Sequence, residues 1–166
     1  MRLFISISFD DNIKEALLSV QNLMKLKGVR GNYTRPENMH LTIAFIGEYR
    51  DPDYVKDVIE SIVIAPFDIS LSGMGDFGSL WWVGIEKNDK LETLARILRR
   101  RLAEADIPFD KKRFFPHITI VRKPESVLPL TPGDYADILH GKTMTVDHIS
   151  LMRSDRGKNG RIYTEV

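Results

Sequence analysis

Alternating apolar and polar residues predict short strands, and longer stretches with helical spacing separate them. Apolar residues at every second position predict a strand over 3–9, with Asp10 or Asp11 as the cap of a following helix. That helix is predicted to run to about residue 27, where Gly28 supplies a left-handed stop. A turn-rich stretch over 31–38 then leads to a strand over 40–46, which ends at Gly47.

The second half of the chain repeats this order. A helix is predicted over 54–62, strands over 67–71 and 80–86, a long amphipathic helix over 91–105 and a strand over 116–122. A loop over 123–141, with one helical turn near 135–139, precedes a terminal hairpin of 143–152 and 161–165. The predicted fold class is α+β, with two pseudo-symmetric lobes of mainly antiparallel sheet. We expect the lobes to share a central sheet, with outer helices around a central cleft, in a single domain over 1–166.

Composition narrows the chemistry that this fold could carry. A chain of 166 residues can bury a core, and without cysteine it has neither disulfides nor thiolate sites, which leaves four histidines as candidates near neutral pH. The 24 basic and 23 acidic residues nearly balance, so contact with nucleic acid should be local. The apolar start is too short for a signal peptide and no run of ~18 apolar residues occurs, so we expect a cytoplasmic protein.

Two tetrapeptides of one design carry the candidate chemistry. His-Leu-Thr-Ile begins at His40 and His-Ile-Thr-Ile begins at His117, each within a predicted strand. In a strand, the histidine and threonine of each motif share one face while the aliphatic residues face a core. If the lobes face each other, the cleft contains two imidazoles and the hydroxyls of Thr42 and Thr119. This set provides a base, an acid and hydrogen-bond donors for cleaving a cyclic phosphodiester.

A single His-x-Thr segment more often holds a structural histidine, and the duplication is what favours a shared site. The two remaining histidines, His140 and His148, lack a threonine two residues later and are predicted to be structural. Two imidazoles that act together predict a bell-shaped pH profile between about 5 and 8.

Nearly the whole chain resembles the two-histidine (2H) phosphoesterases, and most closely the bacterial and archaeal RNA 2′,3′-cyclic phosphodiesterases long called 2′-5′ RNA ligases. Five segments carry the resemblance: Arg2-Leu3-Phe4-Ile5, Arg35-Pro36-Glu37-Asn38-Met39-His40, Phe45-Ile46-Gly47-Glu48, Trp82-Val83-Gly84 and Phe115-Pro116-His117-Ile118-Thr119-Ile120 with Arg122. It implies a bilobal fold, hydrolysis of the cyclic phosphate to a 2′-phosphomonoester, and no metal or other cofactor. The implied partners are RNA ends or nucleotides with a 2′,3′-cyclic phosphate, and we expect a monomer that binds no membrane.

The resemblance also assigns roles to individual residues. It implies that His40 is the general acid on the 3′ oxygen and His117 the base that activates water, with Thr42 and Thr119 hydrogen-bonded to the phosphate. The two motifs are too alike to decide this order by themselves. The resemblance further suggests that Arg122 binds phosphate through its guanidinium. In a regular strand Arg122 points away from the face of His117, and only a bulge or the strand end turns it to the cleft.

Other basic and aromatic residues have a structural and a functional interpretation. The basic run over 99–101 is predicted to be a solvated helix face, and the run over 111–113 a solvated loop that could also draw RNA to the cleft. Trp81 and Trp82 must point to opposite faces of their strand, so one is expected in the core while the other could stack on a base.

Three other functions remain open on the residues alone. RNA ligation would use the same acid and base with an RNA hydroxyl in place of water, although water at ~55 M should dominate. A non-catalytic RNA-binding module would retain the cleft without turnover. A histidine metallohydrolase is less favoured, since neither motif has a carboxylate or second histidine at ligand spacing.

Overall fold

The computed structural model describes residues 1–166 and contains nine strands and four helices. The strands are β1 (Arg2–Ser8), β2 (Arg30–Tyr33), β3 (His40–Glu48), β4 (Phe67–Asp76), β5 (Leu80–Ile85), β6 (His117–Glu125), β7 (Thr143–Val146), β8 (Ser150–Gly157) and β9 (Gly160–Glu165). The helices are α1 (Asp11–Leu26), α2 (Pro52–Glu60), α3 (Asp89–Glu104) and α4 (Ala136–Leu139), and 3₁₀ turns cover Pro36–Asn38 and Pro132–Tyr135.

The strands form two antiparallel sheets rather than the single shared sheet that we expected. One sheet has the order β3-β1-β8-β9 and the other β2-β6-β5-β4-β7, and β3 contacts β6 where the sheets meet. Each sheet therefore contains strands from the other half of the chain. The first sheet includes the β8–β9 hairpin, and the second sheet includes β2. The α+β class with two lobes of antiparallel sheet is confirmed.

Local signals explain the first helix. The carboxylate of Asp10 accepts a hydrogen bond from the Ile13 amide at 2.9 Å, as predicted for a cap. Gly28, with φ of 84°, ends the helix in the left-handed region. The buried face of α1 follows the predicted spacing and consists of Ile13, Ala16, Leu17, Val20, Gln21 and Met24.

Two predicted segments differ from the structure. The stretch predicted as turns contains β2, a short strand that pairs with β6. The predicted strand over 143–152 is two strands in different sheets, because β7 pairs with β4 whereas β8 pairs with β1 and β9. Residues 147–149 form the crossing between the lobes.

The core is one hydrophobic cluster of 38 buried residues that reaches through both lobes. Fully burying a Leu, Ile or Val side chain stabilises a fold by about 1.5–3 kcal/mol, so this cluster can hold the two sheets in a fixed relation. None of the four helices has the length and hydropathy that crossing a membrane requires.

Candidate active site

The two predicted histidines line one cleft between the sheets. Each imidazole is oriented by a backbone carbonyl two residues earlier: Nδ1 of His40 lies 2.7 Å from the Asn38 carbonyl, and Nδ1 of His117 lies 2.8 Å from the Phe115 carbonyl. A carbonyl can only accept, so the proton of each neutral ring is on Nδ1. Nε2 of His117 then has a free lone pair, whereas Nε2 of His40 accepts a hydrogen bond from the Thr42 hydroxyl at 2.9 Å.

A β-bulge follows each motif and changes which residues face the cleft. The register between β1 and β3 skips Ile43, and that between β5 and β6 skips Ile120, so two consecutive residues after each threonine are buried. As a result, Phe45 and Arg122, five residues after the two histidines, line the cleft. The β-bulge that Arg122 would need to face the cleft is therefore present in β6.

Buried polar groups support the bulge in β6. The Ile120 carbonyl accepts from the Thr34 amide at 2.9 Å and from Nε2 of Gln21 at 3.2 Å, while the Thr34 hydroxyl donates to the Thr119 carbonyl. Gln21 is only 3% exposed, and its amide gives the Ile120 carbonyl a second donor while it also donates to the Thr34 carbonyl at 2.7 Å. The bulge therefore depends on α1 as well as on the sheet.

The cleft has a volume of about 1280 Å³ and a basic lining. Both motif threonines are part of it, and the Thr42 hydroxyl lies 2.9 Å from Nε2 of His40. Five basic side chains line it against one acidic side chain, Asp110, although the whole chain has a net charge of only +1. The basic residues are Arg2, Arg35, Lys112, Arg122 and Arg161. The local charge favours an anionic ligand such as a phosphodiester.

His40 is enclosed more tightly than a surface histidine. Its ring centroid lies 4.8 Å from that of Phe4 and 5.2 Å from that of Tyr163, which packs edge-on. Burial lowers the pKa of His40, a hydrogen bond to the Asn38 carbonyl partly opposes this, and the charges of Arg122 and His117 lower it further. The uncharged ring is therefore favoured until an anion enters the cleft.

Arg99 of α3 connects the loop before β6 with the Ile43 carbonyl of β3, whereas the sequence predicted a solvated residue. It donates to the Lys112 carbonyl at 2.7 Å and lies near the Phe109 and Phe114 rings. Burial lowers the pKa of Arg99, and Asp110 opposes this. Lys112 of the same loop lines the cleft, as the functional interpretation of that basic run allowed.

The remaining sequence candidates lie outside the cleft or at its side. His140 and His148 are exposed and neither lines the cleft. Trp81 is 8% exposed within the core, whereas Trp82 is half-buried near the ring of Phe115. No group of three or more His, Cys, Asp or Glu side chains is placed to hold a metal ion.

Several cleft residues could not be identified as such from the sequence. Arg2, Arg35 and Phe45 belong to the segments that carry the family resemblance, and this was their only signal. No sequence signal pointed to Arg161 and Tyr163. These residues line the cleft because β9 is part of the first sheet.

Comparison with known proteins identifies the family of this chain. The profile of the 2′-5′ RNA ligase superfamily matches residues 11–158. An RNA 2′,3′-cyclic phosphodiesterase of Methanocaldococcus jannaschii is 30% identical, covering 98% of this chain and 96% of the relative, and a Thermotoga maritima protein of that name is 33% identical, covering 74% and 70%.

Solved structures share the fold. The crystal structure of the Thermus thermophilus protein TT0787 has a TM-score of 0.82 and 27% identity, covering 100% of this chain and 95% of that one. Escherichia coli LigT, complexed with 3′-AMP, has a TM-score of 0.81 at 23% identity, covering 99% and 94%. The chain belongs to the 2′-5′ RNA ligase superfamily, whose members are 2H phosphoesterases.

Proposed function

We propose that this chain hydrolyses RNA 2′,3′-cyclic phosphate termini to 2′-phosphomonoesters, with His40 and His117 as its acid and base. The observation that carries the proposal is one basic cleft lined by two imidazoles, each held through Nδ1 by a backbone carbonyl. The names of the relatives supply the substrate class.

The proposed reaction is an in-line displacement at phosphorus. His117 accepts a proton from water through Nε2, which makes no hydrogen bond within the protein. The water oxygen forms a bond to phosphorus while the bond to O3′ breaks, and protonated His40 gives its proton to O3′. The 2′-phosphate and a free 3′ hydroxyl remain. Each positioned proton transfer typically contributes ~10²–10⁴-fold in rate.

The threonines and Arg122 are proposed to hold the phosphate. Thr42 and Thr119 share their strand faces with the histidines, so their hydroxyls can donate to the non-bridging oxygens. Arg122 lines the same cleft and can bind the phosphate through two parallel N–H donors. No metal or other cofactor has a role in this scheme.

The proposal treats residues 1–166 as one catalytic domain, which the continuous core supports. We also propose that it acts as a monomer on RNA ends in the cytoplasm, without binding membranes. Light scattering on the purified protein checks the oligomeric state.

The decisive experiment incubates the protein, in excess EDTA, with an oligoribonucleotide that ends in a 2′,3′-cyclic phosphate. We expect wild type to yield the 2′-phosphate, and His40→Ala and His117→Ala to lose about 10²–10⁴-fold in rate. His148→Ala is the matched control, because this exposed histidine is outside the cleft. An unchanged cyclic end would indicate a binding module, joined strands would indicate ligation, and activity lost in EDTA but restored by zinc would indicate a metalloenzyme.

A further inference from the structure

The bulge carbonyl of each motif strand is contacted by a helix side chain. The register of β3 with β1 skips Ile43, and the register of β6 with β5 skips Ile120. Nε2 of Gln21 donates to the Ile120 carbonyl at 3.2 Å. Nη2 of Arg99 lies 3.5 Å from the Ile43 carbonyl oxygen. Gln21 and Arg99 occupy equivalent positions, because each is the eleventh residue of a 16-residue helix, α1 and α3 respectively.

These contacts cross between the halves of the chain. Helix α1 precedes the first motif in sequence but packs on β6, which carries the second motif. Helix α3 precedes the second motif but packs on β3, which carries the first. The donor is an amide in one half and a guanidinium in the other, so the contact recurs while the residue differs. This recurrence indicates that the bulge itself requires a donor from the helix.

Gln21 makes the shorter of the two contacts and is almost fully buried. It is 3% exposed on a face of α1 that is otherwise apolar, and its Nε2 also donates to the Thr34 carbonyl at 2.7 Å. Burying an amide is unfavourable unless hydrogen bonds replace those to water, and an apolar side chain would fill the same space without that cost. The role of Gln21 therefore lies in the two carbonyls that it joins.

Thr34 completes the link between α1 and the second motif. Its hydroxyl donates to the Thr119 carbonyl at 2.8 Å, and its amide donates to the Ile120 carbonyl at 2.9 Å. With Gln21, three donors converge on two consecutive carbonyls at the point where β6 leaves its regular register with β5. A bulge changes the direction of the side chains that follow it, and Arg122 is two residues later. The geometry at this point decides whether Arg122 faces the cleft.

We propose that Gln21 is a positioning residue of the active site, which holds the bulge in β6 so that the Arg122 guanidinium faces the substrate phosphate. This inference rests on the function proposed above, in which Arg122 binds that phosphate. Gln21 is buried and does not line the cleft, so it contacts no substrate itself. Loss of its two hydrogen bonds should act through the direction of Arg122.

The pKa of His40 reports the direction of Arg122 without any turnover. Burial lowers this pKa most, the Asn38 carbonyl opposes the effect, and the charges of Arg122 and His117 lower the pKa further. Gln21 makes no hydrogen bond to His40 or to the groups that hydrogen-bond with its ring. If the guanidinium turns away when Gln21 is replaced, the pKa of His40 should rise.

The test replaces Gln21 with methionine, an unbranched side chain that lacks both donors. We expect Gln21→Met to reduce kcat/KM about 3- to 10-fold on an oligoribonucleotide with a cyclic end, and to raise the pKa of His40 in an NMR titration. In a double variant with Arg122→Gln, Gln21→Met should add less than about 2-fold, because the side chain that it orients is already absent. The control is Ile13→Val, which loses a buried methylene from the same helix and should lower the melting temperature without changing kcat/KM.

Three results would overturn the inference. Losses that multiply in the double variant would mean that Gln21 does not act through Arg122. Wild-type kcat/KM and an unchanged His40 titration in folded Gln21→Met would mean that the bulge persists without this side chain. If Gln21→Met does not fold, Gln21→Asn takes its place with a shorter amide, and failure of both to fold would mean that Gln21 serves stability alone.

Failure of the proposed function is recognised separately. Wild type would then leave the cyclic end intact, whereas the His40 titration would still show whether Gln21 orients Arg122.

Discussion

Replacing Arg122 with glutamine removes a positive charge from the cleft while retaining a side chain that can donate a hydrogen bond. A hydrogen bond between charged partners contributes about 1.5–3 kcal/mol, which corresponds to roughly 10- to 150-fold in kcat/KM. Because Arg122 is exposed, solvent weakens its contact with phosphate, and we expect about 10- to 30-fold for Arg122→Gln. The assay is the rate of 2′-phosphate formation from an oligoribonucleotide with a cyclic end.

A second measurement on the same variant reports the position of the guanidinium. The charge of Arg122 is one cause, after burial, of the lowered pKa of His40, so its removal should raise that pKa. Titration of the His40 ring protons by NMR follows this change. The control is Arg156→Gln, which removes a charge from an exposed arginine outside the cleft lining.

The two measurements together can refute the assignment. If Arg122→Gln changed kcat/KM less than about 3-fold, and no more than Arg156→Gln does, Arg122 would not bind substrate. An unchanged His40 titration would mean that the side chain points away from the cleft, contrary to the bulge in β6. Loss of activity with an unfolded variant would show neither, so circular dichroism accompanies both assays.

The other predictions concern packing and pH. Gly84→Ala should lower the melting temperature by about 3–10 °C, because the new Cβ would lie 2.6 Å from the Ser72 carbonyl oxygen. The control is Gly133→Ala, whose Cβ meets nothing within 4 Å and should leave the melting temperature unchanged. Equal melting temperatures of the two variants by calorimetry would contradict the clash. Since the acid His40 must be protonated and its pKa is lowered, kcat/KM should fall on the alkaline side below about pH 6.5. A bound substrate phosphate should raise the pKa of His40, so the alkaline fall of kcat should occur at a higher pH than that of kcat/KM. Alkaline falls of kcat and kcat/KM at the same pH would contradict His40 as the acid.

Features encoded in short stretches of sequence could be predicted. The spacing and the Asp10 cap of α1, the buried partners of each motif and the shared face of His40 and Thr42 all follow from neighbours in the chain. Because the two motifs have the same polar and apolar phase, their meeting in one cleft could be expected before the pairing of strands was known. The two-lobed α+β fold followed from the repeated order of elements.

Features that depend on contacts between residues distant in sequence could not be predicted. The division of 143–152 between two sheets depends on which strands β7 and β8 find as partners, and the apolar pattern is the same in either case. The orientation of Arg122 depends on a bulge that Gln21 and Thr34 support from outside the strand. Arg99 occupies a basic run typical of solvated helices, and only the fold places two phenylalanine rings beside it.

Long-range contacts also make the two similar histidines unequal, and the proposed reaction needs this inequality. His40 is enclosed by Phe4 and Tyr163, whereas the rings beside His117 are half exposed. Enclosure opposes a charge on His40 in the free protein, and a phosphate beside it favours that charge. In this mechanism a substrate phosphate favours the protonated form of the acid, which burial disfavours in the free protein. Proton supply at O3′ is thereby coupled to binding, which a pair of identical exposed histidines would not achieve.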